Sequence, residues 1–188
     1  MSYELLQEPP ARWLRVDASG VVTGVSDPWT DQVRTSFLGC LAPAAVGKPF
    51  ATSNGGAETI YAHLFQEARQ LRPSRVELWA ASPETAAKFE LSVERRDAEV
   101  ELGLELLFER SRPDRAPFYD PSTPRGDDAI RACGFCQRLD GFRWTEPELA
   151  LVQLRVDPHA RFQPRLKPDV CLECELRLRG TLAMRAAS

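Results

Sequence analysis

The chain has 188 residues, a formal net charge of −3, 43% hydrophobic residues and 27% charged residues. That is the make-up of a globular protein with room for one ordinary domain and a small companion. It excludes a helical membrane protein, because no apolar run approaches the about 20 residues that a span requires. Residues 1–110 are net acidic, with 11 Lys and Arg against 16 Asp and Glu, while residues 130–188 are net basic, with 10 against 7. That slight basic excess is no concentrated basic face, so nucleic acid is not an expected partner.

The opening stretch, Met1 to Pro10, lacks the basic and apolar regions of a secretory signal, so a cytoplasmic location is expected. Arg12–Asp17 and Val21–Val25 are rich in strand-forming residues and flank a turn ending in Gly20, which predicts a hairpin. Asp27-Pro28 opens a helix, since proline is tolerated in the first turn, and Val33, Phe37 and Leu38 follow at helical spacing. Cys40, among Phe37, Leu38 and Leu41, reads as a buried, inert thiol. Ala57–Leu71 carries the clearest helical pattern: Ile60, Leu64, Ala68 and Leu71 form an apolar stripe that Phe65 widens. Arg72-Pro73 ends it. Glu67 falls off that stripe and is expected to contribute little.

Three alternating segments follow, Arg75–Ala80, Lys88–Glu94 and Val100–Phe108, with Val76 and Leu78, then Phe89, Leu91 and Val93, then Val100, Leu102, Leu104 and Leu106 inward. Such alternation belongs to an antiparallel sheet covered on one face. Glu90, Glu94, Glu101 and Glu105 then form its solvated face. The fold class is α+β: five antiparallel strands with helices on one face, plus a small C-terminal subdomain. The expected division is 1–110, a proline-rich linker over 111–129, and 130–188. Within the last part, Phe142–Trp144 reads as a short strand, Thr145 as the cap of a helix with Glu148 completing a capping box, and Cys174–Arg185 as a closing helix.

The chemistry is concentrated in two pairs, Cys133-Gly-Phe-Cys136 and Cys171-Leu-Glu-Cys174, separated by 34 residues. Two such turns can aim four thiolates at one point, the arrangement Zn²⁺ favours, with no position left for a substrate. The gap exceeds the usual zinc-ribbon insert and must hold structure of its own. A redox dithiol, two local disulfides or unliganded thiols are the other readings; a reducing cytosol favours metal. His159 is a further ligand candidate, but four cysteines already fill a tetrahedral site. Trp29, Phe50, His63, Phe65 and Trp79 are candidates to line a ligand pocket, against the alternative that the aromatics are packed core. His63 also raises haem, for which a lone histidine on a mixed helix face is a weak signal. With only two histidines, in unlike contexts, a Ser–His–acid triad is not expected, nor is a phosphate loop.

Over about residues 10–110 the order of elements resembles the PAS domain. The resemblance is carried by Leu14–Val22 as the opening hairpin, Trp29 in the first helical part, Val46-Gly-Lys-Pro-Phe50 before the long helix, and the three-strand finish. It implies a sheet order of 2-1-5-4-3 and a ligand pocket between sheet and helices. Residues 133–174 resemble a Cys-x-x-Cys module found beside PAS domains in bacterial signalling proteins, with Arg138 after the first pair and Trp144 and Glu146 before the second. That module often has a histidine just before its third cysteine, where this chain has Asp169-Val170. Together these resemblances imply a non-enzymatic cytoplasmic sensor or adaptor in signal transduction with a zinc knuckle, whose output passes through a protein partner. A small-molecule ligand and a homodimer stay open. The alternative function is a thiol-based redox switch of the two pairs.

Overall fold

The computed structural model describes residues 11–35, 41, 44–50, 57–81, 85–111, 123–157 and 160–186. The first sheet contains β1 (Arg12–Val16), β2 (Val22–Val25), β3 (Ser74–Ala81), β4 (Thr85–Arg96) and β5 (Glu99–Ser111), all paired antiparallel in the order β2-β1-β5-β4-β3. This is the order that the PAS resemblance implies. Register aligns the apolar positions across all the long strands: Leu14 faces Leu102, Val16 faces Val100, Leu91 faces both Leu104 and Val76, and Leu78 faces Phe89. Because successive side chains point to opposite faces, one face collects all of these residues. The other presents Arg15, Glu77, Lys88, Glu90, Glu94 and Glu101, tied by ion pairs such as Arg15–Glu101 at 2.7 Å and Arg75–Glu90 at 2.8 Å.

Two helices, α1 (Asp27–Thr35) and α2 (Ala57–Arg69), contribute to the same buried cluster through Trp29, Ala57, Ile60, Tyr61, Leu64 and Ala68. Ser26 caps α1, accepting the Trp29 N–H on its hydroxyl at 3.3 Å. The stripe expected on α2 holds for Ile60, Leu64 and Ala68 but not for Leu71, which is exposed beyond the helix end. There the chain closes with the Arg72 N–H on the Glu67 carbonyl at 3.0 Å and the Leu71 N–H on that of Ala68 at 3.0 Å. Leu71 has φ 62°, so the helix ends in a Schellman motif with leucine where glycine is usual. Glu67 departs from expectation as well. It is buried, and its carboxylate takes the Arg72 guanidinium at 2.7 Å.

A second sheet follows, in the order β8-β7-β6-β9: β6 (Arg125–Cys133), β7 (Leu139–Asp140), β8 (Trp144–Thr145) and β9 (Gln163–Asp169). Arg125–Ala129, at the end of the stretch read as linker, is the first half of β6. β9 pairs with β6 in parallel, and Pro164 and Pro168 lie in it at the sheet edge, where a missing N–H is tolerated. The helix α3 (Pro147–Leu154) joins β8 to β9. Its N-cap is Glu146 without a side-chain bond, and Thr145 ends β8, so the capping box expected there does not form. Arg155, left-handed at φ 53°, closes α3 by donating its N–H to the Leu151 and Val152 carbonyls. The helix α4 (Leu172–Ala186) ends the described chain. No helix among the described residues is long and apolar enough to cross a membrane.

Candidate metal centre

The parallel pairing of β6 with β9 brings the four cysteines together. Cys133 is the last residue of β6 and lies opposite Asp169, the last residue of β9. Two strands running in the same direction thus end at one level, and a Cys-x-x-Cys segment follows from each. The first turns back at once: the Gln137 N–H reaches the Cys133 carbonyl at 2.8 Å, with Gln137 at φ 65°. The Gly134 N–H reaches across to the Asp169 carbonyl at 2.9 Å, which locks one turn to the end of the other strand. The second segment starts α4, with Cys171 as the residue before it. The Cys171 sulfur accepts the Cys174 N–H at 3.5 Å, and its carbonyl accepts that of Glu175 at 2.9 Å. A sulfur in this place serves a helix as a side-chain N-cap.

The sulfurs of Cys133, Cys136, Cys171 and Cys174 all lie within 4.8 Å of one another, and no disulfide joins them. The Sγ atoms of Cys136 and Cys171 stand 3.7 Å apart, well beyond a disulfide bond of about 2.05 Å. Cys133 Sγ accepts the Cys171 N–H at 3.4 Å. The thiol of Cys133 is held below its ordinary range by hydrogen bonds from Cys136 and then Cys174. Cys136 and Cys174 are pushed up, first of all by giving those bonds to Cys133. One thiolate among such close neighbours opposes the ionisation of the others. Four thiolates at this spacing therefore require a cation, and this donor set can hold a metal ion.

Charged residues surround the cluster. Arg138 pairs with Glu146 at 3.2 Å and with Glu173 in the first turn of α4, linking the first turn to the second. These two contacts raise its guanidinium pKa. Arg177 reaches Cys174 Sγ at 3.9 Å. Arg131 binds Asp140 and, at 3.2 Å, Asp169, and lies over the Trp144 ring at 5.9 Å. Arg138, Trp144 and Glu146 thus frame the site.

Beneath it lies the five-stranded sheet. Phe135, between the first two cysteines, is fully buried, and its carbonyl accepts the Trp79 N–H from the edge strand β3 at 2.9 Å. Cys133, Phe135, Cys171, Cys174 and Leu178 share one buried cluster with the residues of that sheet. Phe135 and Asp169 were missed by sequence reasoning. An apolar residue inside a Cys-x-x-Cys turn was the available signal for the first; nothing local marks the second.

The five residues proposed to line a ligand pocket do not come together as one group. Phe50 and Phe65 do, with ring centroids 5.7 Å apart and Tyr61 completing the trio at 5.8 Å from Phe50. Trp29 is fully buried in the core, and His63 is half-buried on α2. Trp79 alternates with buried Leu78 and Ala80 and so occupies the opposite face, against Phe108 at 6.4 Å and beneath Arg110 at 5.7 Å. Cys40 and His159 lie outside the described residues. Neither a protein-family model, a curated protein nor a solved structure matches this chain.

Proposed function

We propose that the protein is a non-enzymatic signalling sensor or adaptor: a PAS-like sheet domain that receives a ligand or partner, closed by a structural Zn²⁺ site. The observation that carries the zinc reading is the four-sulfur cluster within 4.8 Å. Zinc–thiolate bonds of about 2.3 Å imply tetrahedral edges of about 3.8 Å, and the Cys136–Cys171 separation is 3.7 Å. An all-thiolate donor set suits a soft or borderline cation rather than Mg²⁺ or Ca²⁺. Four protein ligands leave no coordination position for a substrate, which favours a structural role.

Zn²⁺ on four thiolates leaves the centre formally at −2, and Arg138, Arg177 and backbone N–H groups stand where they offset it. The strand order supports the PAS-like reading, and the charged outer sheet face suits a protein partner in the cytoplasm more than a membrane or nucleic acid. Elemental analysis and an absorption spectrum of freshly purified protein test this. About one zinc per chain and no haem or flavin band are expected. Iron in place of zinc, or a reduced protein without metal, would reject the reading.

A further inference from the structure

We propose that Cys136 is a modification site: it is the first of the four cysteines to be oxidised by hydrogen peroxide, and Cys171 then resolves the product into a disulfide between the two Cys-x-x-Cys segments. This rests on the four cysteines being the metal ligands, and adds how that site responds to oxidant. Three of the sulfur-bearing residues are shielded, with Cys133 at 0%, Cys171 at 1% and Cys174 at 4% exposure. Cys136 alone is half-buried. Thiol oxidation follows access as well as thiolate character.

Backbone placement points the same way. Cys133 belongs to a strand, with its N–H on the Arg138 carbonyl at 2.8 Å, while Cys171 and Cys174 are tied to the start of α4. Cys136 sits in the short turn between β6 and β7, where its side chain can move without breaking a strand or helix. Its Sγ is 3.7 Å from that of Cys171, which side-chain rotation can close.

In the first step the Cys136 sulfur attacks one peroxide oxygen. The O–O bond breaks, a sulfenic acid forms and hydroxide leaves, so sulfur loses the two electrons that the peroxide gains. In the second step the Cys171 thiolate attacks the Cys136 sulfur. The S–S bond forms, the S–O bond breaks, and a second hydroxide leaves to be protonated to water. Two of the four metal ligands are consumed, and two do not make a closed site. The new bond replaces the metal as the tie between the segments.

The test uses full-length, freshly reduced protein whose zinc content is measured beforehand. It is treated with hydrogen peroxide beside a chromogenic zinc chelator, quenched with N-ethylmaleimide and digested with trypsin. One peptide, residues 132–138, carries Cys133 and Cys136, and another, residues 166–177, carries Cys171 and Cys174. A disulfide-linked pair of these peptides through Cys136 and Cys171, appearing together with zinc release, is expected. Peptides each closed on themselves, or a link through Cys133 or Cys174, would overturn the proposal. Substoichiometric maleimide on the untreated protein should label Cys136 ahead of the other three; equal labelling would overturn it too. Cys136→Ser should slow zinc release severalfold, and if that variant holds no metal the wild-type peptide map decides alone. A metal-free protein would reject the zinc reading and the expected zinc release with it; if it still forms the Cys136–Cys171 link, the order of oxidation alone stands. A zinc protein that closes within each pair would do the reverse.

Discussion

In the five-stranded sheet every strand delivers buried side chains to one face, and Trp29, Ile60, Tyr61 and Leu64 meet them from the helices. In the four-stranded sheet and α3, partly buried Leu151, Leu154, Val156 and Leu166 pack against a separate buried cluster that, among the described residues, is Ile130, Ala132, Leu139 and Ala150. Two of those are alanines, and the sheet's remaining strands are only two residues long or carry prolines. A core that small cannot offset the conformational entropy of the residues it orders. The deficit is met in two ways. Phe135, Leu178 and the buried cysteines enter the larger core, and the four sulfurs offer a metal site at that seam. One half is held by apolar area, the other by a borrowed core beside four cysteines that can hold a metal ion.

The strongest way to break this comparison is Cys171→Ser, which removes both one of the four proposed metal ligands and the sulfur cap of α4. Structural zinc sites in small domains contribute about 10–16 kcal/mol of apparent folding free energy, so this should be the largest single-residue effect. Hydrogen exchange should show protection lost over residues 123–157 and 160–186, with a smaller loss at the Trp79 amide that bonds Phe135. Equal loss throughout both sheets would mean that the halves are not held differently.

Leu64→Ala sharpens the contrast from the other side. Leu64 is fully buried under α2, so truncation should cost about 2–5 kcal/mol in denaturant unfolding while zinc content stays unchanged. Loss of metal in that variant would contradict a division of labour. Glu67→Ala comes next. The carboxylate is buried but its partner Arg72 is 44% exposed, so the pair is partly screened and about 1–2 kcal/mol is expected. A cost as large as that of Leu64→Ala would show that polar burial, not apolar area, governs this half. The smallest effect should be that of Leu71→Gly. It relieves a left-handed leucine that is 71% exposed and should change stability by no more than about 1 kcal/mol, in the stabilising direction. A marked destabilisation would mean that the Leu71 side chain makes a contact worth more than the backbone relief.

The same contrast decides what the sequence discloses. β3, β4 and β5 up to Leu104 are legible because a half-buried antiparallel strand alternates, and α2 because its stripe recurs at helical spacing; Leu106, expected inward, is exposed. The parity that places Leu78 inward also places Trp79 outward, so its absence from the aromatic cluster was available from the pattern. Glu67 was not: its burial follows from Arg72 folding back after the Schellman turn, and composition alone shows only a charged residue. The second sheet is hidden for a different reason. Arg125-Gly-Asp-Asp-Ala129 consists of turn-type residues and β9 holds two prolines, so neither carries a strand pattern. Their pairing is parallel and non-local, set by contacts that no window of sequence contains. The cysteines themselves were legible from spacing, whereas the reason they converge, two parallel strands ending at one level, was not.

X-ray absorption at the zinc edge on freshly purified, reduced protein tests the central claim most directly. Four sulfur neighbours at about 2.3 Å are expected, with no nitrogen or oxygen in the first shell. A sample without zinc, or one whose zinc has mixed nitrogen and oxygen neighbours, would contradict the claim that Cys133, Cys136, Cys171 and Cys174 close the second half around a metal.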